Sequence, residues 1–87
     1  MSDKPLYELP KNSREVIQFR LGTFKKHRFA DMRIFIKEDG KDPSPTQKGL
    51  AVSPALWVQF KAALAQLEEA MVQHGWLDRE DLEVQHE

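Results

Sequence analysis

Two alternating runs separated by four polar residues constrain this chain more than any other feature. In the first, Ile17, Phe19 and Leu21 alternate with Gln18, Arg20 and Gly22, and the run ends at Phe24. In the second, Ala30, Met32, Ile34 and Ile36 alternate with Asp31, Arg33, Phe35 and Lys37. A period of two belongs to a strand with one buried face. The "KKHR" between the runs, residues 25–28, makes a tight polar connection. "EDGKDPSPTQ", residues 38–47, reads as a turn-rich connection with one glycine and two prolines. Leu50 and Val52 then mark a short third strand. Leu6–Leu9 can add an edge fragment, since Pro5 and Pro10 bar it from a central place.

A helix follows at once. Ser53 is a good N-cap, and Pro54 suits the first helical position, where its missing N–H is not needed. Leu56, Trp57, Phe60, Leu64, Leu67 and Met71 recur at steps of three and four, and Gly75 is placed to end the helix, which is expected over residues 54–74. These six side chains are expected to form the core against the sheet or the interface with a partner's helix. One helix on a small sheet leaves surplus apolar surface. The chain has 87 residues and no cysteine, so it is one small domain without disulfides or a thiolate zinc site. Such a domain often recruits a second copy. Residues 76–87 read as an acidic tail, with Asp78 a candidate cap for a short final helix.

The net charge of −1 conceals an asymmetry. Residues 10–48 carry ten Lys/Arg against five acids, whereas residues 62–87 carry only Arg79 against seven acids. A basic front half suggests a polyanionic partner; the competing reading is a solvated surface. By alternation, the wet face of the sheet carries Gln18, Arg20, Gly22 and Phe24 from the first run, and Phe29, Asp31, Arg33, Phe35 and Lys37 from the second. Single-stranded nucleic acid calls for this mixture. Phosphates take cations, and unstacked bases take flat rings at about 1–3 kcal/mol per base. The alternative is that these phenylalanines pack under a loop, the tail or a second copy.

With those residues in view, residues 14–72 resemble the single-stranded-DNA-binding domain of the transcriptional coactivator positive cofactor four and its small bacterial relatives. The resemblance is carried by "KNSRE", "FKKHRFADMRIFIKED" and "PTQKGLAVSPALW". In order, these give an aromatic strand end, a basic turn, an Asp-x-Arg strand, and Lys-Gly ahead of Pro-x-x-Trp. The resemblance implies an α+β fold: a curved antiparallel sheet of three to four strands, then one C-terminal helix, assembled as a homodimer. It divides the chain into an arm (1–13), the binding domain (14–75) and the acidic tail (76–87). It also implies sequence-independent single-strand binding, with roles for Phe24 in stacking, for Lys25 and His27 in the basic turn (Lys26 and Arg28 beside them), for Arg33, and for Lys48 at the groove wall. Turn chemistry is the competing account of Lys48-Gly49.

The chain departs from the family in three places. Ile36 stands where eukaryotic members have a tryptophan, which leaves neighbouring Phe35 as the replacement ring. His27 replaces a lysine, implying tighter phosphate binding in mild acid, where imidazole gains charge. The serine-rich regulatory tail is absent, so coactivation in the eukaryotic sense does not carry over.

Catalysis is not expected. His27, His74 and His86 form no ligand pair, and no phosphate loop or nucleophile elbow occurs. No cofactor or metal is expected. The expected partners are single-stranded DNA and a second copy, with RNA and the transcription machinery as further candidates. The N-terminus lacks a signal-peptide pattern, no run is long enough to span a membrane, and a cytoplasmic place, at the nucleoid in a bacterium, is expected. The rival reading is a protein-interaction module that binds no nucleic acid.

Overall fold

The computed structural model describes residues 4–83. The chain divides into two compact units, Met1–Ala55 and Leu56–Glu87.

The first unit is a four-stranded antiparallel meander in the order β1-β2-β3-β4. β1 (Tyr7–Pro10) is an edge strand, as Pro10 at its end requires. β2 (Glu15–Phe24) and β3 (His27–Ile36) pair over their whole length, from Glu15 opposite Ile36 to Phe24 opposite His27. Only Lys25 and Lys26 lie outside the ladder, at φ 50° and 70°. Two positive φ angles in a two-residue loop define a type I′ turn, whose twist matches that of the flanking strands. The connection is therefore half as long as the sequence suggested, and His27 and Arg28 belong to β3.

β4 (Ser44–Val52) begins well before Leu50. Residues 44–47, read as connection because of Pro45 and the turn residues before them, are strand. Pro45 is tolerated because β4 is the other edge. The price is an irregularity: Arg33 pairs with Gly49 and Phe35 with Pro45, so three residues of β4 stand opposite Ile34 alone. Thr46 closes the bulge by donating its hydroxyl to the Ile34 carbonyl at 2.7 Å and accepting the Lys48 N–H at 3.1 Å.

The register sorts side chains as the alternation predicted. Ile17, Phe19 and Leu21 share one face with Ile34, Met32 and Ala30; Gln18, Arg20 and Gly22 share the other with Arg33, Asp31 and Phe29. The apolar face is only partly covered. Tyr7 and Phe19 meet edge-to-face across β1 and β2, with centroids 6.1 Å apart, yet Leu21 is 78% exposed. Gln18 keeps the expected face but not the expected exposure: it is buried, as is Val16 on the same side, with its amide taken up by Glu8 and Arg20.

The second unit is helical. α1 (Pro54–Gln73) starts after Ser53 and ends one residue short of expectation. Its stop is a Schellman motif: Gly75 at φ 77° donates to Val72 O at 3.0 Å, and Trp76 donates to Met71 O at 2.8 Å. Trp57 and Phe60 stack at 5.7 Å along one side of the helix. The six apolar positions expected to be core are not core within one chain. No residue of α1 is buried, and Trp57 and Leu67 are 39% and 61% exposed. Residues beyond the expected domain end are not all tail. α2 (Arg79–Glu83) follows Asp78, whose carbonyl accepts the Asp81 N–H at 3.0 Å. Arg79 reaches back to the Glu69 carboxylate at 3.2 Å.

Candidate nucleic-acid interface

The pairing of β2 with β3 decides which of the expected site residues meet. Three groups result.

The first lies at the hairpin tip. Phe24 closes β2 and is 65% exposed, and the Lys25 ammonium sits 5.4 Å from its ring centroid. Lys26 completes the turn, and His27 faces Phe24 across the ladder. The type I′ geometry puts both lysines beyond the last ladder pair. Arg28 departs from its expected place. It lies in β3 opposite Thr23, with the parity of Ala30 and Met32, and so falls on the apolar side of the sheet.

The second group occupies the middle of the polar face. The Arg20 guanidinium lies over the Phe35 ring at 5.4 Å, and it donates to Gln18 Oε1 from Nε (3.0 Å) and Nη2 (2.6 Å). Gln18 Nε2 donates in turn to Glu8 Oε2 at 2.8 Å. Arg33 forms a two-point pair with Asp31 (Nη2 to Oδ1 at 3.1 Å, Nε to Oδ2 at 3.4 Å) and also donates to the Thr46 carbonyl at 3.3 Å. Phe29 covers Gly22: a Cβ on that glycine would stand 2.7 Å from the Phe29 Cζ. Cations and rings thus alternate across one surface. Sequence reasoning put Gln18 on this face without giving it a role in the site, and it missed Glu8 altogether. Their signal, a polar residue at a strand position flanked by arginine, became readable only with the β1–β2 register, which sets Glu8 opposite Gln18.

The third group lies at the far end of the sheet. β2 spans ten residues from Glu15 to Phe24, roughly 30 Å of extended chain. There Asn12 Oδ1 accepts the N–H groups of Arg14 (2.9 Å) and Glu15 (2.8 Å), and Asn12 Nδ2 donates to Glu15 Oε1 at 2.8 Å. That bond first, and Lys11 after it, holds the Glu15 carboxyl below its ordinary range; Lys48 adds to the effect at longer reach. Lys37, just past β3, donates its N–H to Arg14 O at 2.8 Å. Lys48 and Lys37 therefore belong to this end, apart from the tip. Gly49 has its own reason. Its φ is 153°, and a Cβ there would lie 2.7 Å from the Arg33 Cα. β3 and β4 approach too closely for any other residue.

Among the described residues, no three His, Asp or Glu side chains gather to hold a metal ion, and no helix is long and apolar enough to cross a membrane.

The comparisons with known proteins agree with this architecture. The family model described as Transcriptional Coactivator p15 (PC4) matches residues 11–63. The fold is similar to that of BPSL1147, a PC4 homolog from Burkholderia pseudomallei K96243, in two crystal forms. The orthorhombic form gives a TM-score of 0.67 at 20% identity over 78% of this chain and 95% of that one. The tetragonal form gives 0.67 at 22% identity over 77% and 98%. No curated protein matches the chain.

Proposed function

Because the chain belongs to the family of the transcriptional coactivator p15 (PC4), we propose that it binds single-stranded DNA without sequence preference, as a homodimer, in transcription, replication or repair. Family membership supports a DNA-binding, transcription-related role at the coarse level. The observation that carries the finer reading is the pairing of cation and ring on one side of the hairpin: Arg20 over Phe35, and Lys25 over Phe24. Rings without charge would suit a protein partner, and charge without rings would suit a duplex backbone. Together they suit a strand whose bases are unstacked.

The homodimer is supported by apolar surface that one chain leaves open, on α1 and on the Leu21 side of the sheet. The reading is non-catalytic. The two carboxyls held below their ordinary range, Glu15 and Glu69, owe the shift to surface hydrogen bonds from Asn12 and Arg79. Neither is paired with a second acid as a general acid–base couple would require.

Titration with fluorescent single-stranded and duplex oligonucleotides of equal length, at several salt concentrations, tests the proposal. Single strands should bind tighter, and log affinity should fall linearly with log salt by about 0.7 per phosphate contacted. Absence of binding at low salt would leave a protein-interaction module as the better reading. Preference for an RNA strand of the same sequence would redirect the assignment to RNA.

A further inference from the structure

The two arginines of the polar face are in opposite electrostatic states. Arg33 is neutralised by Asp31 and spends a third donor on the Thr46 carbonyl of the bulge. Arg20 stands directly opposite Asp31 in the ladder, yet Asp31 is occupied by Arg33. Among the described residues, no carboxylate lies in ion-pair range of Arg20. Its Nε and Nη2 donate to an uncharged acceptor, Gln18 Oε1, while Nη1 is uncommitted. The full positive charge therefore survives, on a guanidinium braced against the Phe35 ring.

The brace has a second layer. Gln18 is only 4% exposed. Its amide has a donating end and an accepting end of nearly equal size, so its neighbours fix its orientation. Glu8 only accepts, and it takes the Nε2 hydrogen. Oε1 is thereby turned to Arg20, which only donates. Glu8 orients Gln18, and Gln18 orients Arg20.

We infer that Arg20 is the phosphate-contacting cation of the sheet face, with Gln18 and Glu8 as its positioning residues, and that Arg33 is structural. The inference rests on the single-strand reading above and deepens it. A pre-placed, unneutralised guanidinium with a free N–H edge can take a phosphate oxygen without reorganising. Arg33 would first have to leave its carboxylate.

The test uses the full chain and a fluorescent oligo-thymidylate, titrated from about 50 to 200 mM salt, with circular dichroism to establish folding. Arg20→Gln should weaken binding about tenfold and flatten the log–log salt slope by about 0.7, one phosphate's worth. The double variant Asp31→Asn/Arg33→Gln, which removes Arg33 together with the carboxylate that would otherwise be freed to pair with Arg20, should leave the slope unchanged. Gln18→Leu keeps the Arg20 charge but frees it to move, so affinity should fall several-fold at an unaltered slope. The swap Glu8→Gln/Gln18→Glu keeps a donor and an acceptor between those two positions while setting the carboxylate against Arg20, and should flatten the slope as Arg20→Gln does, with the arginine still present. A purely structural role for Gln18 would not move the slope. A folded Arg20→Gln protein with the wild-type slope, or an Asp31→Asn/Arg33→Gln protein with a flattened one, overturns the inference while leaving single-strand binding intact. Failure of the wild-type protein to bind overturns both.

Discussion

Lys25 and Lys26 hold their backbones in the left-handed region that glycine and asparagine occupy most easily. Replacing them by Asn and Gly, the pair this turn prefers, should raise stability by about 1 kcal/mol in urea unfolding. It should also weaken single-strand binding and flatten the salt slope by up to about 1.4, at about 0.7 for each lysine that meets a phosphate. A stabler protein with unchanged binding would remove the tip from the site. Gly49 is the converse case, a residue the backbone demands. Gly49→Ala meets both an unfavourable φ and the Arg33 Cα, and should cost about 2 kcal/mol or more, measured the same way. The Lys-Gly pair was legible in the sequence as a feature, but only half of its meaning was. Gly49 answers to strand packing, whereas Lys48, expected at the groove wall, stands in the bulge with its charge felt by Glu15.

Among the elements, the β2–β3 hairpin and α1 could be read from periodicity and caps to within a few residues, because each carries its pattern locally. β4 could not. Pro45 and the two-residue excess opposite Ile34 imitate a loop, and only pairing with β3 keeps the strand extended. α2 was half legible, through Asp78, but its attachment was not, since Glu69 and Arg79 meet across the Gly75 turn. That attachment makes a pH prediction. The Glu69 carboxyl is held below its ordinary range chiefly by the Arg79 hydrogen bond. A lowered folded-state value means that the contact is fully present above the ordinary glutamate range, and is lost as pH falls through the folded value. Cα chemical shifts of residues 79–82 should therefore move toward coil values in acid. Glu69→Gln should show the same loosening already at neutral pH. Shifts independent of both pH and the substitution would mean that the ion pair does not hold α2.

At the scale of the whole molecule, the exposed Leu21 on the sheet and a helix with no buried residue are the apolar surface that the proposed homodimer would cover. Light scattering should give twice the 10.1 kDa chain mass. Leu64→Asp, which sets a charge among those apolar side chains, should shift the protein toward monomer or unfold it. A monomer at high concentration in the wild-type protein would contradict the dimer. The site itself was legible as a list of cations and rings. The list did not show how they are grouped, because the β1–β2 register, the competition for Asp31 and the separation of tip from far end are properties of the pairing. The central claim is that the polar face and tip of the β2–β3 hairpin hold a single strand. Amide chemical-shift mapping with an oligo-thymidylate tests it most directly. The perturbed amides should be those of Gln18, Arg20 and Phe24–His27, with Phe29, Arg33 and Phe35, and should leave α2 unchanged. Perturbations concentrated on α1 and α2, or none at all at low salt, would contradict the account.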